Sequence, residues 1–285
     1  MTSDLDPTYS TIHARYTATA LSKSPSTNNA SAVARTFGYT QAELSSIPTD
    51  SNIGLSCGNP LALANLKEGE TVIDLGCGAG FDVFLAAKRV GETGKAIGID
   101  MNEHMLQKAR LNADKSGTLN TDFIQSLITS TPQLESSTAD VMTSNCVINL
   151  VPKVSKHLVF KEMYRLLKPG GRVAISDILL KKDLPENLKN NVALLVGCVA
   201  GASKKEEYEG WLEEAGFKES IVAEAGGDLN IYKGEKDLGV EPRSCCGGDG
   251  GVAEDMRREL QDVDLNEWAA SFKIYAVKPW DRDQV

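Results

Sequence analysis

A chain of 285 residues with 41% hydrophobic, 6% aromatic and 24% charged residues has ordinary globular composition, which excludes collagenous, fibrous and wholly disordered classes. Its 30 Lys and Arg against 39 Asp and Glu give a net charge of −9, so the basic footprint of a nucleic-acid binder is missing and no nucleic-acid partner is expected. Apolar runs such as 192–199 fall far short of the ~20 residues that cross a bilayer, and residues 1–10 carry no basic and apolar leader pattern, so a cytoplasmic chain with no membrane partner is expected.

In chain order, residues 1–50 are rich in Ser, Thr, Ala and Asn and read as a partly helical, partly loose N-terminal extension. From residue 70 the pattern changes, and short β-branched runs alternate with amphipathic stretches. Strands are expected at 71–75, 95–100, 121–125, 140–144 and 171–177, and helices at 82–90, 103–116 and 154–167. That alternation specifies an α/β fold, a doubly wound parallel sheet with right-handed crossovers. Residues 184–202 read as mostly helical and apolar, and 204–215 as an amphipathic helix closed by Gly216. Residues 220–224 and 271–277 have strand composition, so 225–270 is a long insertion between two strands rather than a domain of its own. The chain thus divides into an extension (1–50), an α/β ligand-binding domain (51–178), a helical region with one further strand (179–224), and a Cys-containing insertion with the last strand (225–285).

Asp74-Leu75-Gly76-Cys77-Gly78-Ala79-Gly80 ends the first strand and opens the first helix of this pattern. Glycines there let backbone amides approach a ligand closely, and Asp100, at the end of the next strand, can accept the two ribose hydroxyls of an adenosine. Dinucleotide enzymes carry G-x-G-x-x-G, with a third glycine that makes room for pyrophosphate; this chain has G-x-G-x-G instead. The turn resembles motif I of the class I S-adenosylmethionine-dependent methyltransferases, and Leu167-Lys168-Pro169-Gly170-Gly171-Arg172 is similar to the turn before their fifth strand. The resemblance implies a seven-stranded Rossmann-like sheet with 271–277 as its antiparallel strand. It also implies an S-adenosylmethionine site built from Asp74, Gly76, Cys77, Gly78, Asp100, Met101 and Asn145, with Ser126 and Leu127 near the adenine. Cys77 is read as the small residue the turn needs, and Tyr16 as an aromatic packed over the cofactor. Where the family carries an acidic run near the adenine, this chain has Gln125-Ser126-Leu127-Ile128-Thr129.

Six cysteines remain to be explained: Cys57, Cys77, Cys146, Cys198, Cys245 and Cys246. The chain is too large for a disulfide-stapled mini-domain, and the spacings are not those of a structural zinc site. Ser51 to Pro60, Ser144-Asn145-Cys146-Val147-Ile148-Asn149-Leu150 and Gly197-Cys198-Val199-Ala200-Gly201-Ala202 resemble the arsenite methyltransferases. That resemblance implies that Cys57, Cys146 and Cys198 bind trivalent arsenic, a soft ion suited to soft thiolates. It further implies arsenite arriving as its thiol conjugate, a glutathione or thioredoxin system as reductant, and detoxification as the role; a monomer is expected. Attack by an arsenic lone pair on a sulfonium methyl needs no general base, so positioning carries the catalysis, and His13, His104 and His157 receive no role. Cys245 and Cys246, among glycines, either capture arsenic and pass it inward, exchange disulfides, or are incidental thiols on a flexible loop. Two alternatives stay open: a methyltransferase of another small acceptor such as a thiol, sterol or quinone, and a thiol-based metalloid-binding or redox-sensing protein without turnover. The sequence also leaves open whether Cys57 and Cys198 pair between cycles.

Overall fold

Strands β1 (Thr71–Leu75), β2 (Lys95–Asp100) and β3 (Thr121–Gln125) form with the expected bounds, because each is a short β-branched run closed by turn residues. The computed structural model describes residues 6–21, 27–185, 199, 201–233 and 263–280. Strands β4 (Ala139–Asn145) and β5 (Leu167–Leu180) complete the parallel part, and β7 (Glu219–Glu224) and β8 (Ala269–Val277) add antiparallel partners in the order β3-β2-β1-β4-β5-β8-β7. The seven-strand expectation needs one correction: a two-residue β6 (Ser203–Lys204) pairs in parallel with Leu179 and Leu180. It finds an edge there because β5 outruns β4, whose pairing ends at Asn145 opposite Ser176.

The helix expected at 154–167 is shorter. A 3-10 turn (Lys153–Ser155) leads into a helix that stops at Leu166, and Leu167 is already extended, opening β5. Pro169 accounts for this, since a proline disfavours helical backbone just ahead of it. Of the helical stretch expected at 184–202, the described residues carry no helix, and the remainder, with Cys198, lies outside the described residues, as do Cys245 and Cys246. The N-terminal extension is helical in three pieces, α1 (Pro7–Leu21), α2 (Thr27–Thr36) and α3 (Gln41–Ser45), followed by a short α4 (Pro60–Ala64) that sequence reading missed. Then come α5 (Phe81–Val90), α6 (Glu103–Ser116), α7 (Lys156–Leu166) and α8 (Lys205–Ala215).

Side chains alternate across the sheet, so each strand feeds two cores. Ile73, Leu75, Ile99, Met142 and Ile175 pack on one face with Phe160 and Met163 of α7 and Tyr208 and Leu212 of α8. Val72, Ala96, Val141 and Ala174 pack on the other with Leu61 of α4, Val83 and Phe84 of α5 and Leu106 of α6. A third cluster caps the sheet. It joins Ile12 of α1, Val33 and Phe37 to Cys57, Cys146, Ile178 and Val199. Chemistry-bearing residues therefore collect where doubly wound sheets bind ligands, at the carboxyl ends of the central strands.

Candidate functional site

A cleft with about 1000 Å³ of open space runs over the carboxyl ends of β1, β2 and β4. The turn after β1 is strapped to β2: the backbone amides of Gly76 and Cys77 donate to the Ile99 carbonyl at 2.7 and 3.0 Å, and that of Gly78 donates to Asp100 Oδ2 at 2.9 Å. Gly76 has φ +72°, and a Cβ there would sit 2.4 Å from the Val147 methyls, so only glycine lets the turn pass this wall. Cys77 lines the turn, but its thiol packs into the space over Gly98, and burial pushes its pKa well up.

Three carboxylates face this cleft: Asp74, Asp82 and Asp100. Burial raises all three, and for Asp74 the nearby charge of Asp82 adds to it while the bond from Thr143 Oγ1, 2.7 Å, opposes it. Asp82 is pushed up to about 6 by burial, against the bonds it accepts from Tyr39 and Asn145. No Lys or Arg is among the described residues that line the cleft. The arrangement suits a cation and is hostile to phosphate.

Met101, Leu127 and Asn145 line the same cleft, as does Tyr16. Ser126 does not: its hydroxyl donates to the Ser130 carbonyl at 2.8 Å and its amide to the Asp100 carbonyl at 3.0 Å, while Ile128 takes a lining place. Sequence reading missed Tyr9 and Ile12 of α1, Ile53 and Leu55 of the loop before α4, and Asp82. Asp82 was hidden because an acid in the first turn of a helix ordinarily reads as a solvated partner of the helix dipole. The roof is tied down through Asn102, whose Nδ2 donates to the His13 carbonyl at 3.1 Å and to Thr17 Oγ1 at 2.8 Å while its Oδ1 caps α6.

Asn145, the last residue of β4, joins cleft to thiols. Its Nδ2 donates to Asp82 Oδ2 at 3.0 Å, to Tyr39 Oη at 2.9 Å and to the Gly58 carbonyl at 2.9 Å; its Oδ1 accepts from the Cys57 amide at 3.2 Å. Cys57 and Cys146, 89 residues apart in sequence, are joined in a disulfide with Cα atoms 5.7 Å apart. Cys146 lines the cleft, while Cys57 lies behind it, fully buried. Cys146 holds the left-handed conformation, φ +61°, stabilised by its amide donating to the Ser176 carbonyl at 2.9 Å. Gly58 explains how the Cys57 loop comes so close, because a Cβ at that position would meet Ser176 Cβ at 2.4 Å.

Behind the sulfurs lies a polar group with no precedent in the sequence reading. Asp177 of β5 is fully buried and places a carboxylate oxygen within 4.8 Å of both sulfurs. Burial lifts its pKa to about 6 against the Tyr208 hydroxyl and the charge of Lys156. The Lys156 ammonium, 2% exposed as a residue, donates to Asn149 Oδ1, Ser203 Oγ and the Gly201 carbonyl. An acid at a strand end and a lysine opening a helix carry no sign in sequence that the fold buries them.

A family model described as a methyltransferase domain matches residues 66–216. The chain is 42% identical over 206 residues to an arsenite methyltransferase of Halobacterium salinarum, covering 71% of this chain and 52% of that one. It is 34% identical over 209 residues to an arsenite methyltransferase of Aquipseudomonas alcaligenes, covering 65% and 59%. The chain thus spans little more than half the length of these curated relatives. Among solved structures, an arsenic(III) S-adenosylmethionine methyltransferase from Chlamydomonas reinhardtii superposes with a TM-score of 0.56 at 27% identity, over 93% of this chain and 76% of that one.

Proposed function

The chain belongs to the methyltransferase-domain family, and from that premise we propose that it methylates trivalent arsenic held on its own thiols, with S-adenosylmethionine as methyl donor. The observation that carries the reading is the meeting of Cys57 and Cys146 against the wall of a cleft lined by three carboxylates and, among described residues, no cation. A phosphate-bearing nucleotide would be repelled there, whereas a sulfonium with an amino group is drawn in. The likeness to the Halobacterium enzyme over 71% of this chain supports arsenic as acceptor.

In this reading Asp100 takes the ribose, Gly76 and Gly78 bring the backbone close to the ligand, and Asp74 with Asp82 faces its positive end. Leu127 and Ile128, with Tyr9 and Tyr16 from α1, supply apolar cover and exclude water. The cofactor supplies an electrophilic methyl group when bound. Cys57, Cys146 and Cys198 act as thiolate ligands that displace oxygen or glutathione from arsenic and leave its lone pair free. Cys146 holds the metalloid on the cleft side, and its left-handed backbone aims the sulfur from the strand end. Orientation of this kind contributes about 7–11 kcal/mol in well-aligned cases.

Because Cys57 and Cys146 are bonded to one another, arsenic binding requires their two-electron reduction, and a glutathione or thioredoxin system is the reductant of suitable chemistry. Cys245 and Cys246 remain candidates for capture of arsenic from solution, in a cytoplasmic, monomeric detoxifying enzyme. The test is cofactor turnover with arsenite and excess glutathione, with arsenic products speciated, for the unmodified chain and for Cys146→Ser. Methylated arsenic from the former and none from the latter is expected. Absence of arsenic-dependent turnover by the unmodified chain overturns the reading.

A further inference from the structure

Asp177 is held fast beside the thiol pair. Asn149 Nδ2 donates to its Oδ1 at 2.7 Å, the Ile178 amide to the same oxygen at 2.9 Å, and the Tyr208 hydroxyl to Oδ2 at 2.8 Å. Asn149 is itself gripped by the Lys156 ammonium at 3.4 Å, and Lys156 by Ser203 at 3.0 Å. A carboxylate offers about four lone-pair positions, and these three bonds occupy three of them. The bonds hold the carboxylate in place, with one of its oxygens within 4.8 Å of both sulfurs.

We propose that Asp177 selects the arsenical: its carboxylate accepts a hydrogen bond from the hydroxyl that arsenic retains once Cys57 and Cys146 have bound it, and so favours inorganic arsenite over an arsenical already carrying a methyl group. This rests on the arsenic reading above and names a specificity-determining residue for it. Arsenous acid carries three hydroxyls. Two thiols displace two of them, forming two As–S bonds, and each thiol proton leaves with the departing hydroxide as water. The oxidation state of arsenic does not change. One hydroxyl remains, and it can donate to Asp177. Methylarsenous acid loses both of its hydroxyls in the same exchange and turns a methyl group to a buried carboxylate instead. A site that hydrogen-bonds a substrate hydroxyl rejects the analogue lacking it, because its own polar group is left without a partner. Cys198 would displace the last hydroxyl afterwards, so Asp177 acts in capture rather than in transfer.

The experiment measures binding of arsenite and of methylarsenous acid to the reduced 285-residue chain, by protection of its thiols from alkylation, beside KM and kcat for each arsenical. In Asp177→Ala the preference for arsenite should fall at least about tenfold, through weaker arsenite binding and higher KM with kcat largely kept. Asp177→Asn keeps the size and one acceptor oxygen, should show a smaller fall in the same direction, and carries the test if the alanine variant does not fold. An unchanged preference, or equal weakening for both arsenicals, overturns the proposal. Selective binding without methyl transfer would support Asp177 as selector while refuting the methyltransferase reading. Failure of the unmodified, reduced chain to bind arsenite refutes both.

Discussion

Cys146 occupies a backbone conformation that costs a non-glycine residue about 1–2 kcal/mol, and it does so at the point where β4 ends and the thiol must leave the sheet. The surrounding bonds hold it there, above all the Asn145 amide that ties Asp82, Tyr39 and the Gly58 carbonyl into one knot. Asp82 contributes to this knot at a cost. Its folded-state pKa of about 6 lies above the ordinary aspartate value of 3.8, so the native state holds the proton more tightly than the unfolded chain does. Stability from this group is therefore greatest below pH 4 and is lost as pH rises through about 6. Replacing Asp82 by Asn removes that loss. Between about pH 4.5 and about pH 7.5 the stability difference should move in favour of Asp82→Asn by about 2 kcal/mol, read from denaturant midpoints. A difference independent of pH would show that the carboxylate is not buried as described.

At the scale of elements, the loop before α4 and strand β5 are fitted to each other through one missing side chain. Gly58→Ala would drive a methyl group into Ser176 at 2.4 Å, and overpacking of this kind costs about 1–3 kcal/mol. The loop should lift and keep the two thiols from being oxidised to the Cys57–Cys146 bond, so thiol titration should find two more reactive sulfurs than in the unmodified chain. Arsenite affinity of the reduced chain should fall about tenfold. Titration counts matching those of the unmodified chain would mean that the loop has another way to settle. Much of this level was legible in sequence. Short β-branched runs located β1, β2 and β3 to the residue, and motif I located the turn. Pairing was not legible in the same way: nothing in the local pattern says that β5 outruns β4 and gives Ser203 an edge, or that α1 lies against the cleft so that Tyr9 and Tyr16 line it. Buried acids were the other blind spot. Asp177 and Asp82 look in sequence like any charged residue at an element's end, and only tertiary packing removes their water.

For the whole molecule, the bond between Cys57 and Cys146 closes a loop of 89 residues that contains all of β1, β2 and β3. A crosslink of that span restricts the unfolded chain by up to about 4–5 kcal/mol. Reduction should lower the thermal midpoint by about 10 °C. Arsenite in excess should restore part of that loss, since a ligand bridging both thiols at a hundred times its Kd contributes about 2.7 kcal/mol to the folded state. Melting curves of oxidised, reduced and arsenite-treated chain test this, and equal midpoints for the first two would contradict it. The acidic lining of the cleft has a different kind of consequence. In the proposed reaction methyl transfer turns a sulfonium into a neutral thioether, so the spent donor would lack the charge that Asp74 and Asp82 face in the cleft. On that reading the carboxylates that favour the incoming molecule hold the outgoing one less strongly, so the lining by itself biases exchange toward fresh donor.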